Sequence, residues 1–160
     1  MSVTIDVVAE SEDWNRILGA EMIAHRAAAA AFEDAGISEG EVSVMLSSDA
    51  RVRELNKRFR EKDQPTNVLS FPANTLDCEG ARFFGDVALA YETLVREAAG
   101  EGKSTEAHLT HLTVHGVLHL LGFDHDNERD AEKMERLETK ILARLGFPDP
   151  YAAQTEAQSA

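Results

Sequence analysis

Polar and apolar positions alternate at the start of the chain, where Val3, Ile5 and Val7 are separated by polar residues, the period of a half-buried strand. From about residue 13 to residue 34 the spacing changes to three and four. Trp14, Ile17, Leu18 and Met22 share a face, an alanine run follows, and a helix is predicted, stopped by Gly36. Residues 41–46 read as a second strand. Ser47, Ser48 and Asp49 supply caps for a basic helix reaching about residue 59, with Val52, Leu55 and Phe59 on its inner face. Pro65 interrupts the polar stretch 61–67, and residues 68–71 and 84–89 form two short apolar strands around an irregular loop containing Pro72 and Gly80.

A helix over 91–99 ends at Gly100 and Gly102. Ser104 or Thr105 caps a long apolar helix to about residue 121, which Gly122 closes. A last helix over 127–145 carries Ala131, Met134, Leu137, Ile141, Leu142 and Leu145 on one stripe, before Gly146 and Pro148. Strands early, helices between them and a helical end predict an α/β (α+β) fold: a small mixed β-sheet packed with helices, in a single domain over 1–150 followed by a flexible tail over 151–160.

Composition narrows this picture. A chain of 160 residues, 43% hydrophobic and 28% charged, suits one globular domain with a proper core. The lone cysteine, Cys78, allows neither an internal disulfide framework nor a cysteine-rich zinc site. The opening segment lacks the basic-then-apolar order of a secretory leader, and no run is long enough for a membrane span, so a cytoplasmic protein is expected. The net charge of −13 argues against a nucleic-acid partner, but six of the 16 Lys and Arg residues fall between Arg51 and Lys62, opposed there only by Glu54 and Glu61. Such a patch can guide phosphate to one place on an acidic body, or be a solvated helix face.

Five of the six histidines lie between positions 108 and 125. On the long apolar helix His108, His111, His115 and His119 fall within about 80° of one another. A helix apolar nearly all round is buried, and buried imidazoles must be hydrogen-bonded or bind something. His115 and His119 have the one-turn spacing that presents two nitrogens to one zinc ion, and the bend at Gly122 lets His125 return as a third ligand. Three protein nitrogens leave a fourth position for water, as in catalytic zinc sites. HGVLHLLGFDH matches the histidines and glycine of the extended zinc-protease signature, but Gly116 replaces the glutamate that serves as general base there. Peptide hydrolysis is therefore disfavoured and a phosphodiester is the more natural substrate. His108 and His111 are expected in supporting or packing roles, and Asp124 either orients a ligand or caps a turn.

With these residues in view, the chain resembles the YbeY family of bacterial endoribonucleases, the rRNA maturation factors. The resemblance rests on HGVLHLLGFDH, on LNKRFREKDQPTNVLSFP over 55–72, on FGDVALA around Gly85 and Asp86, and on the terminal LGFPDPY. Phe59 and Phe123 stand where hydroxyl-bearing aromatics are common in the family. The resemblance implies a zinc-dependent, single-strand-specific endoribonuclease acting in 16S rRNA 3′-end maturation and ribosome quality control. It further implies one zinc per chain held by His115, His119 and His125, a functional Arg60, a 16S rRNA precursor as substrate, and a small ribosomal subunit protein and a ribosome-associated GTPase as partners. Arg60 also stands out as the arginine beside the Pro65 loop, with a fork suited to phosphate. Asp86 is a candidate acid, base or orienting group, and no general base is assigned. Two rivals remain open: another metallohydrolase acting on a peptide or amide, and a ribosome-assembly binding protein with a structural zinc.

Overall fold

The computed structural model describes residues 2–61, 66–76 and 80–152. Lys62, Pro65, Cys78 and the expected tail beyond residue 152 lie outside these. The mixed α+β architecture agrees with the sequence pattern. Strands β1 (Ser2–Ala9), β2 (Glu39–Ser47), β3 (Val68–Leu76) and β4 (Arg82–Ala90) form one sheet in the order β1-β2-β4-β3. β1, β2 and β4 run parallel, and β3 pairs antiparallel with β4 at the edge. Among the described residues five α-helices surround it: α1 (Ala20–Asp34), α2 (Asp49–Arg60), α3 (Tyr91–Gly100), α4 (Thr105–Leu120) and α5 (Glu128–Arg144).

α4 is the axis of the molecule. It packs on β3 and β4, with α1, α3 and α5 against its other sides, and Leu109, Val114, Val117 and Leu118 have no exposed surface. Each such side chain removes about 1.5–3 kcal/mol of apolar contact from water. The fit against the sheet is close at Gly116, where a Cβ would lie 2.7 Å from the Val87 side chain and 3.1 Å from that of Val68. Ser70 Oγ donates to the Gly116 carbonyl at 2.8 Å. The threonines of α4 add no unsatisfied groups on this side, since Thr110 and Thr113 donate to the carbonyls of Glu106 and Leu109 one turn earlier.

α2 lies on the opposite sheet face, over Leu69, Ala88 and Ala90. Ser48 caps it, accepting from the Arg51 N–H. Asp49 ties its start to α3 by accepting from the Thr93 N–H and hydroxyl at 3.0 and 2.9 Å. The direction of α2 is thereby set, and with it the place where Phe59 and Arg60 emerge.

Four local expectations need correction. The helix expected over 13–34 is two pieces, a 3₁₀ turn (Glu12–Arg16) and α1, separated at Gly19, whose φ is +70°. The break resets the helical phase: Leu18 and Met22 are 89% and 66% exposed, and Ala24, Ala27, Ala28 and Ala31 form the buried face instead. Phe59 is not on the inner face of α2 but overhangs the edge of β3 at 62% exposure. Pro72 lies inside β3, opposite Gly85, because an edge strand can lose a donor. Tyr151, the first position of the expected tail, is half-buried and hydrogen-bonded to α5.

Candidate metal centre

α4 ends in a hydrogen-bonded reversal. The Phe123 N–H returns to the Leu118 carbonyl at 3.0 Å and the Gly122 N–H to that of His119 at 3.1 Å, with Gly122 at φ +103°. This is a Schellman motif, and its left-handed residue is the reason a glycine stands there. The chain then doubles back and brings His125 over the last turn of α4. The His125 ring lies 5.8 Å from that of His115, nearly parallel to it, and 4.9 Å from that of His119. His115 Nε2 and His119 Nε2 face each other at 3.2 Å. One ring nitrogen from each of the three histidines lies within 4.8 Å of the others, and among the described residues no other histidine, cysteine or carboxylate joins them. Asp124 is not a fourth member, since its carboxylate accepts from the Asp126 N–H at 2.8 Å and caps the turn.

Behind the triad lies a group that the sequence reading passed over. Glu138 of α5 is fully buried, and its carboxylate accepts from His115 Nδ1 at 2.7 Å, from His111 Nε2 at 2.8 Å and from the Tyr151 hydroxyl. Burial pushes this carboxyl up, but the hydrogen bonds from His111 and His115 outweigh it and hold the pKa at about 2. Burial raises Tyr151, as does the Glu138 charge beside it, so its hydroxyl remains a donor. An ionised Glu138 fixes the proton of His115 on Nδ1 and turns Nε2, with its lone pair, toward the other two rings. His119 is held below the ordinary histidine range, first by burial and then by its imidazole neighbours, which favours the neutral, ligating form. The donor set and its orientation thus fit a divalent ion that accepts imidazole.

The triad opens into a cleft of about 820 Å³. Its other wall is built from Phe59 and Arg60 at the end of α2, Thr66, and Val68, Ser70, Phe71 and Pro72 of β3. The structure therefore brings Arg60 to the same cleft as His115, His119 and His125. It does not bring Asp86 there. Val87 points at α4, so strand alternation turns Asp86 to the other sheet face, where burial raises its pKa and a Ser43 hydrogen bond partly offsets the rise. His108 sits higher on α4 and pairs with Glu97 at 2.9 Å, while Asn67 donates to the same carboxylate oxygen at 3.0 Å. That bond anchors the end of the segment leading from Arg60 to β3.

Comparison with known proteins places this geometry. Residues 8–146 match the family model described as Endoribonuclease YbeY. Curated relatives carrying that name include one from Bradyrhizobium diazoefficiens, 52% identical over 156 residues, covering 92% of this chain and 84% of the relative. Another, from Rhodopseudomonas palustris strain BisA53, is 51% identical over 158 residues, covering 95% and 92%. Among solved structures the fold is similar to the solution structure of TM1509 from Thermotoga maritima, with a TM-score of 0.61 and 24% identity over 98% of this chain and 93% of that one.

Proposed function

Because the chain belongs to the Endoribonuclease YbeY family, we propose that it cleaves single-stranded RNA in the cytoplasm, with the 16S rRNA precursor as substrate, by metal-assisted phosphodiester hydrolysis. The observation that supports this reading best is the convergence of three imidazole nitrogens on one wall of a cleft whose opposite wall carries an arginine. His115, His119 and His125 would hold one zinc ion, which when bound would supply Lewis acidity toward a phosphoryl oxygen and activation of water. Glu138 keeps His115 in the ligating tautomer. The Arg60 guanidinium binds the phosphate and offsets the charge that grows on its oxygens. Asp86, on the far face of the sheet, takes no part in this scheme. A small ribosomal subunit protein and a ribosome-associated GTPase would deliver the substrate, which suits a chain of net charge −13.

Both rivals lose support. A peptidase of the extended zinc signature would need a glutamate at position 116, where even a Cβ would lie 2.7 Å from the Val87 side chain. A structural ion would need a fourth protein ligand, and the described residues supply three. The test is zinc content per chain together with cleavage of a single-stranded RNA. Wild type should carry one zinc, His119→Ala none, and Arg60→Ala should keep its zinc while losing at least about tenfold in rate, the scale of one lost charge-assisted contact in the transition state. An Arg60→Ala chain that cuts like wild type, or a wild type without zinc, overturns the scheme.

A further inference from the structure

The strongest feature outside the triad is an aromatic ring left in water beside it. Phe59 is 62% exposed, although it continues the stripe of Val52 and Leu55 at helical spacing. At this end of α2 the side chain meets Phe71 of β3, the edge strand of the sheet. There it lines the same cleft as the histidines. Its ring has two neighbours. The Phe71 ring meets it edge-on, with centroids 5.8 Å apart and planes at 70°, and the Arg58 guanidinium lies 5.8 Å from its centre. Lys57, Arg58 and Arg60 make the last turn of α2 basic, in a chain whose overall charge is −13.

A large exposed apolar ring lining a cleft, beside a small basic patch, suits one ligand chemistry. Cations track a phosphate backbone, and a planar ring accepts the face of an unpaired base. A base within a duplex is already stacked and cannot reach it. The other exposed large hydrophobic side chains among the described residues, Val8, Leu18, Met22 and Leu76, are aliphatic and do not line this cleft. We propose that Phe59 is a stacking platform for a single unpaired nucleobase next to the phosphate that Arg60 holds, so that the cleft selects single-stranded RNA by reading a free base face. This rests on the endoribonuclease reading above and adds a binding residue to it.

The test is equilibrium binding of a short single-stranded oligoribonucleotide with nuclease-resistant linkages, followed by fluorescence anisotropy, to the full-length chain. Phe59→Ala should weaken binding about 5- to 150-fold, the range for one lost base–aromatic stack, while the slope of affinity against salt stays as in wild type. Arg60→Ala should flatten that slope. Phe59→Trp should retain affinity, and its indole emission should be quenched on binding. An oligonucleotide with abasic positions should lose affinity for wild type but lose little more for Phe59→Ala. If wild type binds the oligonucleotide and Phe59→Ala binds equally well, the platform is wrong and the RNA reading stands. If wild type binds no better to the single strand than to a duplex or an unrelated polyanion, the RNA reading falls and takes the platform with it.

Discussion

The two walls of the cleft are built on opposite physical plans. The inner wall, from α4 and α5, is a buried polar network. Glu138 accepts from His111, His115 and Tyr151, so a charge removed from water is repaid by three donors, and each donor is oriented in return. The outer wall, from the end of α2 and the edge strand β3, faces solvent: Phe59 and Arg60 are exposed and leave α2 just before a residue with positive φ, Glu61. On the proposed function, ligand geometry belongs to the first wall and contact with a long, variable substrate to the second. A metal site tolerates little displacement of its ligands, whereas a polymer must enter, be cut and leave.

Removing the central carboxylate should give the largest effect. Glu138→Ala leaves the imidazole N–H groups of His111 and His115 and the half-buried Tyr151 hydroxyl without this acceptor, and should cost about 3–5 kcal/mol of unfolding free energy. It should also weaken zinc binding about 10- to 100-fold, because His115 loses its fixed tautomer. Urea denaturation of the metal-free chain and zinc competition with a chelator measure the two effects. Arg60→Ala, on the outer wall, should change stability by less than about 0.5 kcal/mol. Equal losses in the two variants would abolish the contrast between the walls.

Acid should attack the same wall in a defined order. The folded chain keeps Glu138 ionised down to about pH 2, while the unfolded chain takes up that proton near the ordinary 4.5. Between these values the unfolded state binds more protons, so the stabilisation is complete above pH 4.5 and is lost as pH falls toward 2, on the order of 3 kcal/mol in all. A smaller loss begins nearer pH 6.5, where the unfolded His119 protonates before the folded one. Denaturation of the metal-free chain across this range should show both phases, with the lower one missing in Glu138→Gln.

These walls also explain what could be read in the sequence. The triad was legible because its geometry is local: two histidines one helical turn apart, a glycine that reverses the chain, and a third histidine three residues on. Glu138 was not, since its importance depends on α5 packing against α4. Its only trace is a lone carboxylate on the apolar stripe of Met134, Ile141 and Leu142. Asp86 was placed in the site on nearness to a motif. Alternation along β4, with Val87 turned toward α4, sends it to the other face. The inner face assigned to the first helix failed because Gly19 restarts the helical phase, which period-counting through the break cannot register. Phe59 followed the right periodicity, but no pattern shows that the strand beneath the end of α2 is the edge of the sheet.

The contact between α4 and the sheet supports a smaller prediction. A methyl at Gly116 would meet the Val87 side chain at 2.7 Å and Ser70 Oγ at 3.3 Å. Gly116→Ala gains roughly 1 kcal/mol of helix propensity against about 1–3 kcal/mol of overpacking, for a net loss of about 1 kcal/mol. The displaced helix carries His115 and His119 with it, so zinc affinity should fall along with the melting temperature. A variant as stable as wild type, with unchanged zinc affinity, would show that the helix has room the packing denies.

The smallest effect should come from the outer wall and have the opposite sign. Glu61 closes α2 at φ +58° and ψ +26°, the one non-glycine residue with positive φ among those described. Its N–H caps the helix by donating to the Asn56 carbonyl. A side chain in this conformation costs about 1–2 kcal/mol, and glycine returns part of that as lost chain entropy. Glu61→Gly should therefore stabilise the chain by roughly 0.5 kcal/mol, about 1–2 °C in melting temperature for a domain of this size. Zinc content should not change, because no ligand lies on this wall. RNA cleavage should fall, because the strained turn fixes the direction in which Arg60 leaves the helix and glycine lets it vary. Higher stability with lower activity would place the strain in the service of Arg60. Higher stability with full activity would show that Arg60 is positioned by the substrate.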